Sequence, residues 1–239
     1  MNSVFVTGVS AGLGRSMATQ FLSAGYIVYG VSRRAPDDLI ANGLKFAAVD
    51  LTDQEATEQT INQLLADLPW LDLCVLNAGI LGPIGDIRDH SVDELRHVLE
   101  VNLWANKAIL DWLLQSGRAV KQVVAISSGA GIDAKSGFSG YAISKAALNM
   151  MVQLYAAENP QTHFTAFSPG PVDTAMQDSI CSHPESIRYP AIQSLQARRG
   201  THEMPAADAV AERFARIVHL LPDQVASGAY ADIRDWPAD

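Results

Sequence analysis

The sequence predicts an α/β fold in a single domain, a doubly wound parallel sheet covered by helices on both faces. Two observations carry that expectation. Strand-like runs of five or six residues alternate with helical stretches along most of the chain, which argues for parallel strands joined by right-handed crossovers. No repeat, low-complexity tract or linker divides the 239 residues, a length that one domain can fold around one core.

The elements follow in order. Ser3–Thr7 is apolar and rich in β-branched residues, and a glycine-rich turn ends it. A helix is predicted over Leu13–Ala24, with Met17, Ala18, Phe21 and Leu22 on one face and Gly25 as its stop. Tyr26–Val31 and Leu44–Val49 predict the second and third strands. Thr52-Asp53-Gln54-Glu55 has nearly the polar-then-acidic order of a capping box and opens a helix. Leu71–Leu76 is a further strand, and Ser91-Val92-Asp93-Glu94 starts a long helix with the same capping order. Gln122–Ile126 predicts a buried strand, Ser139–Glu158 a helix and Thr162–Phe167 another strand. The stretch from about 175 to 205 is weakly patterned and includes Pro184, Pro190, His183 and His202. So long a connection just past a strand's carboxyl end predicts a lid over a substrate site.

Composition narrows the function. Apolar residues make up 48% and charged residues 18%, which excludes a disordered chain. The net charge of −9 and the lack of a basic stretch argue against nucleic acid or an anionic membrane as the main partner. Two cysteines, Cys74 and Cys181, cannot make a disulfide framework. The apolar runs are too short to cross a bilayer, and no signal peptide precedes Ser3, so a soluble, cytoplasmic protein is expected. No metal-ligand set is expected.

The first turn, Thr7-Gly8-Val9-Ser10-Ala11-Gly12-Leu13-Gly14, lets the backbone approach a pyrophosphate at the following helix's N-terminus. Its first two glycines are three residues apart, not the one of the dinucleotide fingerprint, so it is moderate evidence, and only because it follows the first strand. Asn77-Ala78-Gly79 falls at the same sheet edge after the fourth strand. The decisive pattern is Ser127-Ser128 followed by Tyr141 and Lys145, four residues apart on one face of a helix. A tyrosine ionises near pH 10, and a neighbouring lysine cation favours its phenolate, making Tyr141 usable as a general acid or base. A surface Tyr and Lys at helical spacing would be the ordinary explanation if nothing else agreed.

Together these residues resemble the short-chain dehydrogenase/reductase family over essentially the whole chain, and the resemblance implies a Rossmann fold. By it the catalytic residues are Ser128, Tyr141, Lys145 and Asn102, the last in Val101-Asn102-Leu103 on the long helix. Tyr141 would protonate a carbonyl oxygen, Ser128 would hydrogen-bond the same oxygen, and Lys145 would hold the nicotinamide ribose and lower the tyrosine pKa. Asn102 would support a water linking Lys145 to solvent. Cofactor contacts are implied for Gly8, Ser10, Gly12, Leu13, Gly14, Arg33, Asp50, Leu51, Asn77, Ala78, Gly79, Tyr141 and Lys145. Pro169, Gly170, Val172 and Thr174, after the sixth strand, complete that set.

NADP(H) is the expected cofactor. The second strand ends Val31-Ser32-Arg33-Arg34 without the acidic residue that an NAD site places on the ribose hydroxyls. Arg33 suits a 2′-phosphate, and Arg15 could share that role. Three segments, including Phe167–Gln177 and Gly228–Ile233, look like the sepiapterin reductase and bacterial benzil reductase branch. The implied substrate is a small hydrophobic, aromatic or pterin-type ketone or diketone, touched by Met176. Asp232 is either an anchor for a pterin ring or an ordinary strand-end turn former. The Ser139–Glu158 helix is apolar around most of its circumference and needs a cover beyond the sheet. The resemblance implies that a second subunit supplies it in a homodimer or homotetramer, and burial by the chain's own loops is the alternative. Two alternatives stand beside this reading: an alcohol dehydrogenase running oxidatively, and a nucleotide-sensing protein on the same scaffold. The sensor would be expected to have lost Tyr141 or Lys145.

Overall fold

The structure is a computed structural model that describes residues 2–237. Seven parallel strands form one sheet in the order β3-β2-β1-β4-β5-β6-β7. They are β1 (Ser3–Thr7), β2 (Ile27–Ser32), β3 (Lys45–Ala48), β4 (Trp70–Leu76), β5 (Ala119–Ile126), β6 (His163–Ser168) and β7 (Tyr230–Asp232). The predicted strands are all present, with ends moved by up to three residues.

The strand pleat sorts side chains to two cores. From β1, Val4 and Val6 join one, and Phe5 the other. From β5, Val124 and Ile126 join the first, while Val123 and Ala125 join the second. Helices α1 (Gly12–Ser23) and α9 (Ala207–Ile217) close the first face through Met17, Phe21, Val210 and Phe214. Helices α3 (Gln54–Leu64), α5 (Ala105–Gln115) and α6 (Ser139–Glu158) close the second through Ile61, Ile109 and Leu148. Short helices α2 (Asp37–Ala41) and α10 (Leu221–Gln224) lie in connections. No helix among the described residues is long and apolar enough to cross a membrane.

Three local features depart from the sequence expectation. The start of α3 has no capping box: Asp53 alone caps it, its carboxylate accepting the Ala56 N–H at 3.0 Å. The box at α4 (Val92–Leu99) is complete, with Ser91 and Glu94 each accepting from the other's backbone N–H. The long helix is not continuous, because a π turn over Glu100–Trp104 separates α4 from α5. Such a turn leaves carbonyls out of the regular ladder and is often found at functional sites. The weakly patterned stretch is largely helical, as α7 (Ala175–Cys181) and α8 (Pro190–Arg198). Phe138, Ile180, Tyr189 and Ile192 form a small third core beneath it.

Candidate active site

The strand order reverses at β1, which opens a crevice at the carboxyl ends of β1 and β4. Helix α1 begins there with no side-chain cap and no acid in its first turn, so its free N–H groups suit an anion. Gly8 has φ +79°, and a Cβ on it would come within 3.0 Å of the Asn77 Nδ2 atom. A Cβ on Gly14 would collide with the Gly8 carbonyl. Thr7 ties the two turns together: its Oγ1 accepts the Asn77 and Ala78 N–H groups at 2.9 and 3.0 Å. Asn77 donates its side-chain amide to the Thr7 carbonyl at 2.9 Å. The backbone is packed against itself so closely that only glycine fits, leaving the crevice side open for a dinucleotide.

A cavity of about 760 Å³ runs from this turn across to α6, α7 and α8. Every residue expected to contact the cofactor lines it except Gly14, which lies under the turn. Ser128 and Met176 line it as well, whereas Asn102 and Asp232 do not.

Ser128 lies two residues past the end of β5, and α6 carries Tyr141 and Lys145 one turn apart on its cavity side. Ser128 and Tyr141 both line the cavity, near enough for Ser128 to act on the tyrosine's ionisation. The Lys145 ammonium lies 5.6 Å from the centre of the Tyr141 ring and donates to the Ile126 carbonyl at 2.7 Å. Burial pushes the Tyr141 hydroxyl above its ordinary pKa, against a smaller downward pull from Ser128. That runs opposite to the lowering expected from the lysine. Burial also depresses Lys145 itself, to about 8, which still leaves a cation beside the ring at neutral pH. Tyr141 is therefore held as the neutral phenol, the form able to give a proton.

Asn102 sits in the π turn with its side chain fully committed. Its Oδ1 accepts the Ile80 N–H at 2.8 Å, and its Nδ2 donates to the Ile80 carbonyl at 2.8 Å and to Ser144 Oγ at 2.9 Å. It pins the loop after Gly79 to α6 rather than facing the cavity. Ser127, the neighbour of Ser128, donates to Asn149 Oδ1 at 2.5 Å and is likewise structural.

At the far end, Asp50 Oδ1 accepts the Thr52 N–H at 3.1 Å and its hydroxyl at 2.9 Å, and the Thr52 N–H is the main cause of its lowered pKa. Arg33 and Arg34 line the cavity beside it, and neither forms an ion pair among the described residues. Arg15 is instead paired with Asp38. Sequence reasoning missed Arg34 as a lining residue, and also His97 and Val101 from the start of the long helix.

The other end is apolar, formed by Leu81, Phe138, Met176, Ile180, Ala191 and Leu195. Residues Ala191, Ser194, Leu195 and Arg198 of α8 face it with the spacing of one helical stripe. That periodicity was present in the sequence, between Pro190 at its start and Gly200 past its end, but without a side-chain cap. Asp232 caps a short turn after β7 and binds Arg234 twice, Nε to Oδ1 at 2.6 Å and one Nη to Oδ2 at 2.7 Å. It takes the turn-former place, and Arg234 is the side chain that reaches the cavity.

A doubly wound sheet with these turns at its crevice defines a dinucleotide-binding protein. The sequence matches the short chain dehydrogenase family model over residues 2–185, and the chain belongs to that family, whose members use a nicotinamide cofactor on small-molecule substrates. A benzil reductase from Bacillus subtilis is 29% identical to it, over 99% of this chain and 100% of that protein. A benzil reductase from Saccharomyces cerevisiae is 30% identical over 74% of each. The crystal structure of a Saccharomyces cerevisiae short-chain dehydrogenase/reductase superposes with a TM-score of 0.88 at 26% identity, covering 98% of this chain and 97% of that one. These relatives place the chain in the benzil reductase branch.

Proposed function

We propose that this chain reduces the carbonyl of a small hydrophobic or aromatic ketone or diketone with NADPH, and that Tyr141 is the proton donor. The observation that carries the reading is that Ser128 and Tyr141 share the cavity wall with the Lys145 ammonium 5.6 Å from the tyrosine ring.

The crevice fits a nicotinamide dinucleotide, because the N–H groups of α1 are free there and the Gly8 turn has no room for a side chain. Gly8, Ser10, Gly12, Leu13 and Asn77–Gly79 would hold its diphosphate and ribose, and Asp50 and Leu51 its adenine. Pro169, Gly170, Val172 and Thr174 would hold its nicotinamide, and Arg33 a 2′-phosphate. When bound, the cofactor supplies the two electrons of the reduction. The chain's own residues do the rest. Ser128 Oγ and the Tyr141 hydroxyl take the carbonyl oxygen between them, which orients the carbonyl and polarises it. Tyr141 gives up its proton as negative charge grows on that oxygen. Lys145 lowers the cost of the phenolate left behind. Asn102 acts as a positioning residue, holding the Ile80 loop against α6. The segment 175–205 forms a lid that keeps water from the apolar end.

The functional unit is a homodimer or homotetramer. Ile143 (41% exposed), Met150 (54%) and Leu154 (54%) form a stripe on α6 that the chain itself leaves uncovered, and Trp104 in the π turn is exposed as well (45%). NADPH oxidation measured against benzil, aryl ketones and sepiapterin, for the parent and Tyr141→Phe, tests the whole reading. Turnover of a ketone that the Phe variant loses supports it.

A further inference from the structure

Arg234 is a cation on the cavity wall that neither the cofactor nor the Tyr141 group accounts for. Six cationic side chains line the cavity (Arg33, Arg34, Lys135, Lys145, Arg198 and Arg234) against two carboxylates, Asp50 and Asp133, in a chain whose net charge is −9. A cofactor's phosphates account for Arg33 and Arg34, and Lys145 belongs to the Tyr141 group. Arg234 has no such assignment, and its place can be traced. Its Nη lies 2.7 Å from Asp232 Oδ2, which the Tyr230 hydroxyl reaches at 3.3 Å. That hydroxyl is 4.0 Å from where a Cβ on Gly129 would stand, and Gly129 follows Ser128. Arg234 therefore stands on the Ser128 side of the cavity.

Its guanidinium is fixed before any ligand arrives. Nε and one Nη are bound to Asp232, a carboxylate that is itself 8% exposed and accepts the Arg234 backbone N–H at 3.0 Å. The Arg234 side chain remains 63% exposed, so its other Nη keeps its donors for the cavity. A planar fork locked along one edge presents donors in a fixed direction at little entropic cost. A donor-rich ring such as a pterin would need an acceptor from this strand end, yet the side chain that reaches the cavity is a donor.

We propose that Arg234 is a specificity-determining residue that selects carbonyl substrates bearing a second acceptor oxygen, as in 2-oxo acids and their esters. The Asp232 charge offsets that of the guanidinium, so a neutral acceptor oxygen suffices. This inference rests on the proposed carbonyl reduction.

The test uses three probes with the full chain and NADPH: phenylglyoxylate, its methyl ester, and acetophenone, which has one oxygen only. The readout is the ratio of kcat/KM for each two-oxygen probe to that for acetophenone. In Arg234→Met that ratio falls about tenfold or more for at least one of them, the scale of one lost hydrogen bond from a charged donor. Arg234→Met leaves Asp232 buried and unpaired, so Asp232→Asn/Arg234→Met is measured in parallel with the NADPH dissociation constant and Tm of both. A ratio unchanged in a folded, cofactor-binding double variant overturns the inference. If the parent reduces no ketone at all, the failure belongs to the proposed carbonyl reduction.

Discussion

The Lys145 ammonium, 4% exposed, is held between the Ile126 carbonyl at 2.7 Å and the Tyr141 ring at 5.6 Å. Its pKa is down from 10.5 to about 8, and the cause is burial. A group whose charged form is disfavoured on folding destabilises the fold wherever it must be charged. At pH 7 that penalty is present in full. Between about pH 8 and 10.5 the unfolded chain holds a proton that the folded one has released, so this group adds stability as pH rises through that window.

Lys145→Met is accordingly expected to raise the Tm at pH 7 while abolishing reduction, by about 2–4 °C for each kcal/mol gained. The gain should shrink as pH approaches 10.5, the ordinary value for this side chain. Thermal melts of both proteins across that range check it, and a Met variant less stable at pH 7 would contradict it.

Arg33 is expected to decide the cofactor. Neither it nor Arg34 is engaged in an ion pair among the described residues, while Arg15 is taken by Asp38. Arg33→Ser should lower kcat/KM with NADPH by about 10- to 100-fold, the scale of a lost charged hydrogen bond to phosphate, with little change for NADH. Initial rates with both cofactors measure this, and equal use of the two by the parent would remove the argument.

The uncovered stripe on α6 predicts a subunit contact. Replacing Met150 and Leu154 by Glu places two charges where apolar side chains would meet, and should yield monomers that keep their fold by circular dichroism. Light scattering at micromolar concentration reads the mass, and a parent that is already monomeric would count against the contact.

Much of the fold was legible because local signals agreed with the tertiary outcome. β1, the α6 span and the Ser91–Glu94 box are read directly from apolar runs and cap chemistry. The π turn at Asn102 was not, since its cause is the tertiary tie of that side chain to Ile80 and Ser144 rather than any local breaker. Helices α7 and α8 were missed because neither has a side-chain cap, and because Pro190, which reads as a helix breaker, opens α8 at its first position. Within the site, residue types and spacing marked Ser128, Tyr141 and Lys145, which the structure brings to one wall. Asp232 could not be separated from a turn former by sequence, because the deciding contact is its bidentate pairing with Arg234.

Tyr141 is proposed as the proton donor of a carbonyl reduction. The most direct measurement is benzil-dependent NADPH oxidation by the parent and by Tyr141→Phe, with cofactor binding of both followed by fluorescence. The Phe variant is expected to bind NADPH nearly as the parent does and to lose about 10²-fold or more in kcat, the usual scale of general acid catalysis. A Phe variant that reduces benzil at close to the parent rate would contradict it.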